Sequence, residues 1–330
     1  MKGLDMARAR ILLLPLFLAV ALICVNSNFT RGAQKTKALN ITLMKAIRDS
    51  DALSVKALLS KGADANARDD EGTTVLMQAA LNADADCLKL LLDKGADPNA
   101  KNKAGATALM WAVADIRKIN LLLSKGADPK AKAASGGTAL MAAATYNGAT
   151  DVARALLEQG ADVNDKGING TTALIQAATS GNTASLALLL EKGADPNAKD
   201  NDGVTALMFA ATMKNVEGMR LLLEKGADPN AKDNVGNSVL LWMTEFDGAD
   251  SVRLLLEKGA DPNVQNNDGY TILMWAALSE SCNAEVVKML LARGANVNAK
   301  ARNGTTAMTY AKRRGETAIV SLLKEAGAVE

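Results

Sequence analysis

Two kinds of short apolar segment alternate along most of the chain, and polar, glycine-containing segments separate them. The first kind reads Ala-Leu-Met-x-Ala-Ala, as in residues 206–211, and the second ends in three leucines, as in residues 188–190. Leucine and alanine recur three and four residues apart, so each segment is predicted to form a helix with one apolar stripe. A single pair of such helices cannot bury both stripes, and the pattern therefore predicts a stack of helix pairs.

The glycines show that this unit repeats with one fixed part and one variable part. The dipeptide Gly-Ala begins at Gly62, Gly95, Gly126, Gly160, Gly193, Gly226, Gly259, Gly294 and Gly327. A second glycine follows ten residues later at Gly72, Gly105, Gly136, Gly170, Gly203, Gly236, Gly269 and Gly304. From that glycine to the next Gly-Ala the distance varies from 21 to 25 residues. The connector therefore has a fixed length, and the turn between the two helices of a pair absorbs the variation.

The connector contains a helix stop, a tight turn and a helix start. Gly193 follows a leucine-rich segment, where a left-handed residue ends a helix well, and Pro196 prevents the helix from continuing. Asp202-Gly203 suits a tight reversal of the chain. Thr205 can cap the next helix by accepting hydrogen bonds from its free N–H groups. The corresponding caps in the other units are Thr74, Thr107, Thr138, Thr172, Ser238, Thr271 and Thr306.

Residues 203–211 read Gly-Val-Thr-Ala-Leu-Met-Phe-Ala-Ala, which resembles the Gly-x-Thr-Pro-Leu-His-x-Ala-Ala motif of ankyrin repeats. The family's Gly-Ala-Asp-x-Asn ending also recurs, and the resemblance covers residues 39–330. It implies an all-α solenoid of about nine stacked helix pairs with short β-hairpin-like connectors. The family's Pro is Ala, Val or Ile here, its His is mostly Met, and the chain has no histidine. We expect the threonine caps and apolar packing to compensate for the hydrogen bonds of that histidine.

The repeats divide the chain into five segments. Residues 1–27 precede a polar linker at 28–38 and an N-terminal capping repeat at 39–69. Seven internal repeats occupy residues 70–302, and a C-terminal capping repeat occupies 303–330. The internal repeats begin near residues 70, 103, 134, 168, 201, 234 and 267.

Two details concern packing between repeats. In the repeat near residue 234, Met243-Thr244 replaces the Ala-Ala or Ala-Val pair of the other internal repeats, and the extra bulk predicts irregular stacking there. Cys87 aligns with apolar helix positions and is interpreted as a small core residue. Cys282 lies in the longest helix–helix turn, about six repeats away, so the two thiols are too distant for a disulfide.

Residues 1–27 have the pattern of a secretory signal. Three basic residues precede an apolar run from Ile11 to Val25, which is short for a membrane span. Small residues predict cleavage after Ser27, with later alternatives at Gly32 and Ala33, and the chain is then secreted or periplasmic. The alternative is a membrane anchor formed by residues 11–25. Basic residues are equally numerous before and after the run, so the charge rule leaves its orientation open.

Charge and residue types narrow the function. Without residues 1–27 the chain has 35 Lys+Arg and 35 Asp+Glu residues, so no general attraction to nucleic acid is expected. The absence of histidine excludes a Ser-His-Asp or Cys-His site, and no Cys-x-x-Cys or glycine-rich phosphate motif occurs. Asp200 and Asp202 recur as turn residues and lack the glutamate of a calcium loop. A carboxylate-based hydrolase is the remaining enzyme class, and no carboxylate pair stands out from the turn aspartates. We predict no enzyme activity, metal or cofactor.

The residue six positions after each second glycine belongs to an aromatic-rich column. Its members are Gln78, Trp111, Ala142, Gln176, Phe209, Trp242, Trp275 and Tyr310. The resemblance implies that this column faces the concave side, where ankyrin proteins commonly bind partners. The column serves packing between repeats or direct contact, and packing is the favoured reading. Further candidate contacts lie at the connector tips and just after them: Lys199, Asp200, Asp202, Val204, Lys232, Asn234, Asn237, Gln265, Asn267 and Tyr270.

These features predict an exported, non-enzymatic scaffold that binds a protein partner, with residues 209–270 at the centre of the contact surface. A monomer is expected, and contact with a membrane is expected only if the N-terminal segment is uncleaved. The alternative is a membrane-anchored structural or protective envelope protein, which would use its anchor and its repeated surface.

Overall fold

The computed structural model describes residues 34–243, 249–279 and 284–329, and these parts of the chain are mainly helical. The helices in chain order are α1 (34–48), α2 (Ala52–Ser60), α3 (Val75–Asn82), α4 (Ala85–Asp93), α5 (Ala108–Trp111), α6 (Ile116–Ser124), α7 (Ala139–Thr145), α8 (Thr150–Glu158), α9 (Ala173–Thr179), α10 (Thr183–Glu191), α11 (Ala206–Thr212), α12 (Val216–Glu224), α13 (Val239–Trp242), α14 (Ala249–Glu257), α15 (Ile272–Leu278), α16 (Ala284–Ala292), α17 (Ala307–Arg314) and α18 (Thr317–Glu325).

The helices pack as a solenoid of pairs. From α3 onward, each odd-numbered helix, here called a first helix, contacts the next odd-numbered helix, and each even-numbered second helix contacts the next even-numbered one. The two helices of a pair also contact each other, as in α9 with α10 and α11 with α12. Buried leucine and alanine side chains continue from Leu43 to Leu323 in one apolar core. The predicted all-α repeat solenoid is confirmed.

Threonine caps begin most of the first helices. The Thr205 hydroxyl accepts a hydrogen bond from the backbone N–H of Met208, three residues further on. The same bond is made by Thr74, Thr138, Thr172, Thr271 and Thr306. The expected packing in place of the family's histidine is also present, because four of the five methionines at that position are buried and the fifth, Met110, is half-buried. The buried ones are Met77, Met141, Met208 and Met274.

The cap prediction is wrong for Thr107 and Ser238. Their helices, α5 and α13, are only four residues long. In these single turns the backbone carbonyl of the cap accepts the N–H three residues on, from Met110 at 3.2 Å and from Leu241 at 2.9 Å. That amide is therefore already bonded, and the buried hydroxyls of Thr107 and Ser238 have no hydrogen-bond partner.

Neighbouring connectors touch through their backbones, which explains their fixed length. Within one connector the Asp200 N–H donates to the Val204 carbonyl at 3.0 Å. Between connectors the Asn234 N–H donates to the Asp202 carbonyl at 2.9 Å. Gly203 has a φ of +79°, and a Cβ there would lie 2.9 Å from the Asn234 nitrogen. An added residue would move one connector away from its neighbour and break this contact.

A ladder of asparagine side chains adds a second link between connectors. The Asn197 side-chain N–H donates to the Gly226 carbonyl at 2.9 Å, and its Oδ1 accepts from the Asp228 N–H at 2.7 Å. The same pair of bonds is made by Asn66, Asn99, Asn164, Asn230, Asn263 and Asn298. Lys130 occupies the equivalent position in one connector, so the ladder is interrupted there.

Buried polar side chains join the helix–helix turns. The Lys118 ammonium is 7% exposed and donates to the Ala80 carbonyl at 3.0 Å, near the end of α3. Burial lowers the pKa of the Lys118 amine below its ordinary value of 10.5, while the Asp115 and Asp84 carboxylates oppose that shift. Asn182 similarly donates to the Ala144 carbonyl at 3.2 Å. These bonds satisfy carbonyl groups at the ends of the first helices of preceding repeats.

The N-terminal boundary differs from the prediction. Residues 34–38, expected to belong to the linker, are helical and form the exposed start of α1. Gln, Lys and Ala favour helix, and polarity without periodicity did not reveal this extension. Residues 1–33, including the predicted signal segment, lie outside the described residues. In the described part of the chain no helix is long and apolar enough to cross a membrane.

The sequence makes one prediction about the burial of Cys87 and another about irregular stacking at Met243-Thr244. Cys87 is fully buried, as predicted, and burial raises the pKa of its thiol. Cys282 and Thr244 lie outside the described residues. The irregular stacking expected at Met243-Thr244 stays a prediction. Helix α13 is short there, but α5 is equally short and is followed by Ala112-Val113.

We predict that Asn197→Ala lowers the free energy of unfolding by about 1–2 kcal/mol, because it removes two inter-repeat hydrogen bonds at a solvent-exposed site. Lys130→Ala is the control in the same column, where the ladder bonds are already absent, and it should change stability by less than about 0.5 kcal/mol. Urea unfolding followed by circular dichroism measures both. Equal effects of the two substitutions would show that the ladder does not stabilise the stack.

We predict a pH dependence for the difference in the free energy of unfolding between the wild type and Lys118→Met. This difference should increase in favour of the wild type as the pH rises toward 10.5. In the window between the lowered pKa and 10.5, the unfolded chain retains a proton that the folded chain has lost. The free energy of unfolding of the wild type therefore increases through this window, and the methionine variant lacks that contribution. Tm values of both proteins at several pH values from 7 to 10.5 test this; a constant difference would contradict it.

Candidate partner-binding face

The first helices and the connector tips form one continuous surface, here called the first-helix face. The aromatic-rich column lies on it, one member per first helix. Trp111, Phe209 and Trp242 are half-buried against the core, and Trp275 is 40% exposed. The members of the column differ in how much surface they offer, and their expected place on the concave side stays a prediction.

Ring contacts show that several members of the column pack against other aromatic rings, two of these contacts joining different repeats. The rings of Phe209 and Trp242 are 6.0 Å apart, with an angle of 59° between their planes. The Tyr270 ring lies 5.8 Å from that of Trp275 and 6.4 Å from that of Tyr310. Tilted aromatic pairs at these distances are stabilising beyond the area that they bury. The structure therefore supports the packing interpretation of the column.

A buried carboxylate fixes Trp242. Asp233 is 8% exposed, and its Oδ2 accepts a hydrogen bond from the Trp242 indole N–H at 2.8 Å. The Asn237 backbone N–H donates to its Oδ1 at 2.8 Å, and the Asn237 side chain donates to Oδ2 at 3.3 Å. The Asn266 side chain then donates to the Asn237 Oδ1 at 3.0 Å, which links this network to the next connector. Charge-assisted bonds of this kind hold the indole in one orientation.

The tip asparagines bond to the preceding tip. The Asn234 side chain donates to the Asn201 carbonyl at 2.8 Å, and the Asn267 side chain donates to the Asn234 carbonyl at 3.2 Å. Asp200 closes its own turn by accepting from the Asp202 and Val204 N–H groups. The Asp202 side chain is exposed at the tip. The side chains of Asp200, Asn234 and Asn267 make these tip bonds, and that of Asp202 does not.

Lys199, Lys232 and Gln265 bond to the following connector. Lys199 Nζ donates to the Lys232 carbonyl at 2.7 Å, and Lys232 Nζ donates to the Gln265 carbonyl at 3.0 Å. Gln265 Nε2 donates to the Lys300 carbonyl at 3.2 Å. These three predicted contact residues therefore also serve as links between repeats.

Two predicted contacts are corrected by their burial. Val204 is only 4% exposed and belongs to the core. Tyr310 is 8% exposed, and its hydroxyl lies 3.2 Å from that of Tyr270. That hydrogen bond and burial raise the pKa of Tyr310. These two side chains therefore offer a partner almost no surface, and the sequence alone showed only that Val204 follows a tip and that Tyr310 belongs to the aromatic-rich column.

The structure adds exposed apolar residues that sequence reasoning missed. Ile168 and Val235 are exposed at connector tips, and Tyr146 and Met213 are exposed just after the first helices. Their signal was an apolar residue in columns that are otherwise mostly polar or alanine. Between residues 133 and 243, the exposed charged side chains at the described tips, beside them and in the turn after α11 include Lys166, Lys199, Asp202, Lys214 and Lys232. This part of the face therefore mixes apolar groups with amides, hydroxyls and a few charged side chains, most of them lysines.

The arrangement offers a recognition surface built from several repeats. Among the described residues no group of three histidine, cysteine, aspartate or glutamate side chains is placed to hold a metal ion. The tips are held in register by backbone and side-chain bonds, so their exposed groups keep fixed spacing. Such a surface is suited to binding a partner by shape and by several separate contacts.

Comparison with known families agrees with this architecture. The family described as "Ankyrin repeats (3 copies)" matches residues 43–133, 114–200, 140–233 and 236–329, which together cover well over half of the chain. The chain therefore belongs to the ankyrin-repeat family. No curated protein matches it. Ankyrin repeats are generally protein–protein interaction modules and typically non-enzymatic, which supports a binding scaffold.

We predict that Trp242→Phe lowers the free energy of unfolding by about 1–2 kcal/mol, because the hydrogen bond to a buried carboxylate is lost while an aromatic ring remains. Trp111→Phe is the matched control: Trp111 also ends a four-residue first helix and makes no such bond. Thermal and urea unfolding of both variants measure the difference. If both substitutions cost the same, the Asp233 bond contributes nothing beyond the ring.

Proposed function

We propose that this chain is an exported scaffold that binds a protein partner on the first-helix face, centred on residues 209–270. One observation carries the proposal: this face exposes several large apolar side chains among polar groups. Val235 is 57% exposed and Trp275 is 40% exposed. Tryptophan is among the side chains that contribute most to protein binding, and exposed apolar groups mark surfaces that bind partners.

The connector links support a rigid mode of recognition. Tip residues such as Asn234 are bonded to the tips on both sides: Asn234 donates to the preceding tip, and its carbonyl accepts from Asn267 of the following one. A surface that is ordered before binding loses little conformational entropy when a partner docks. The partner would therefore meet a preformed row of tips, each offering one or two side chains.

Export is proposed from the sequence pattern of residues 1–27. A basic start followed by an apolar run of limited length is typical of a secretory signal. The alternative, a membrane-anchored structural or protective envelope protein, is favoured by the same segment if it is retained. Cell fractionation with detection of residues 1–27 separates the two: a membrane-bound chain that keeps this segment supports the anchored form.

We predict that Met213→Lys/Val235→Lys weakens partner binding at least about tenfold, because two desolvated lysines would replace apolar contact groups. The partner is first captured from the protein's own compartment with residues 28–330. Its affinity for each purified variant is then measured by titration.

Ala184→Lys/Ala187→Lys is the matched control, since both alanines are exposed on α10, a second helix away from the proposed face. This control adds the same charge and should leave the affinity within about threefold of wild type. Circular dichroism checks that all variants fold. Equal binding by the two double variants would remove the first-helix face as the site.

A further inference from the structure

The N-terminal helix pair exposes more apolar surface than its charged sequence suggested. Leu53 on α2 is 82% exposed, and Ile41 on α1 is 61% exposed. Exposed leucine at this level, in a pair that also carries exposed lysines, is unusual for a cap whose role is solubility. We call the surface formed by Ile41, Lys45, Leu53, Lys56 and Lys61 the N-terminal face.

A groove between α1 and α2 is lined by two of these five residues, Lys45 and Lys61. Lys45, Ala57 and Lys61 line it, with Thr42, Ala46, Asp49, Asp51, Ser54 and Leu58. Ile41 lies one helical turn before Lys45, and Leu53 lies one turn before both Lys56 and Ala57. Residues four apart share one side of a helix, so the exposed apolar groups flank a groove edged by lysines.

Positive charge is concentrated at this end of the solenoid. Residues 34–64 contain six Lys and Arg residues and three Asp and Glu residues, whereas residues 65–330 contain 28 and 32. Among the acidic groups of the groove, Asp51 is engaged in capping α2, where it accepts two hydrogen bonds from Ser54. The remaining chain is slightly acidic, so an anionic surface would attract the N-terminal end and orient the molecule.

The preceding sequence also relates this end to a membrane. Ile11–Val25 is an apolar run, and Arg31 and Lys35 follow it. Residues 26–33 could span at most about 28 Å when extended. In the retained form this short segment would keep the N-terminal face close to the bilayer, and in the cleaved form the face itself remains on the released chain.

We propose that the N-terminal face docks on an anionic lipid surface. Lys45, Lys56 and Lys61 lie toward the negatively charged headgroups, and Leu53 and Ile41 enter the interfacial layer. A polybasic cluster and a few apolar side chains together give reversible binding to such membranes. This inference uses residues outside the first-helix face and does not depend on the proposed protein partner.

Co-sedimentation of residues 28–330 with lipid vesicles tests the proposal. All described helices and their contacts lie within residues 34–329, so removing residues 1–27 removes none of them. We expect binding to vesicles containing phosphatidylglycerol and at least tenfold weaker binding to pure phosphatidylcholine. Raising the salt concentration from about 0.1 M to 1 M should reduce the anionic binding at least tenfold, because it shortens the screening length from about 10 to 3 Å.

Charge-matched variants locate the surface. Lys45→Glu/Lys56→Glu/Lys61→Glu should weaken binding at least tenfold, since each cation near an anionic surface contributes. Lys94→Glu/Lys192→Glu/Lys225→Glu has the same net charge and alters exposed lysines on other repeats, so it should retain most of the binding. Leu53→Ser should weaken binding several-fold, whereas Leu81→Ser, at another exposed leucine, should not.

Three outcomes would overturn the proposal. The first is no binding of residues 28–330 to anionic vesicles at low salt. The second is equal loss in both charge-reversed proteins, which would indicate attraction by overall charge. The third is unchanged binding after substitution of either Leu53 or the three lysines of the N-terminal face. Circular dichroism of each variant distinguishes these results from loss of folding.

Discussion

The contact between successive connectors is the constraint on which the rest of this molecule depends. A helix pair of this size leaves apolar surface uncovered, and only a neighbouring pair in a defined position buries it. The backbone bond from Asn234 to Asp202 and the asparagine ladder supply that position at the connector side. At the opposite side, Lys118 and Asn182 bind carbonyl groups of earlier repeats. Apolar burial drives the stack, and these polar links set its register.

The same constraint explains how much of the fold the sequence reveals. Gly203 and Thr205 predict a turn and a helix start because their roles are local, and the structure confirms both. Thr107 was indistinguishable from Thr205 in sequence. Its helix is a single turn, whose backbone hydrogen bond takes the amide that the hydroxyl would have bonded. Such an outcome depends on tertiary packing, which a local motif does not encode.

The sequence indicates which positions belong to the candidate face, but it does not show which of their side chains are exposed. The spacing of the aromatic-rich column is visible in the sequence, but the ring contact of Phe209 with Trp242 depends on the distance between repeats. Lys199 is predicted as a partner contact because it lies near a tip, yet its ammonium group donates a hydrogen bond to the next connector. Conversely, Val235 is not among the predicted contacts, because it is a single valine within a polar turn, and yet its side chain is strongly exposed. Burial separates these roles, and burial follows from neighbours distant in sequence.

The unequal freedom of the two ends of each repeat has a consequence for how this molecule can change. The helix–helix turn can gain or lose residues, as the variation between 21 and 25 residues records. The connector cannot, because Gly203 leaves no room beside Asn234. The spacing between successive connector tips therefore stays constant, while the helix–helix turns on the opposite side vary in length. A substitution at one tip therefore changes the side chain offered at that position and leaves its distance to every other tip unchanged.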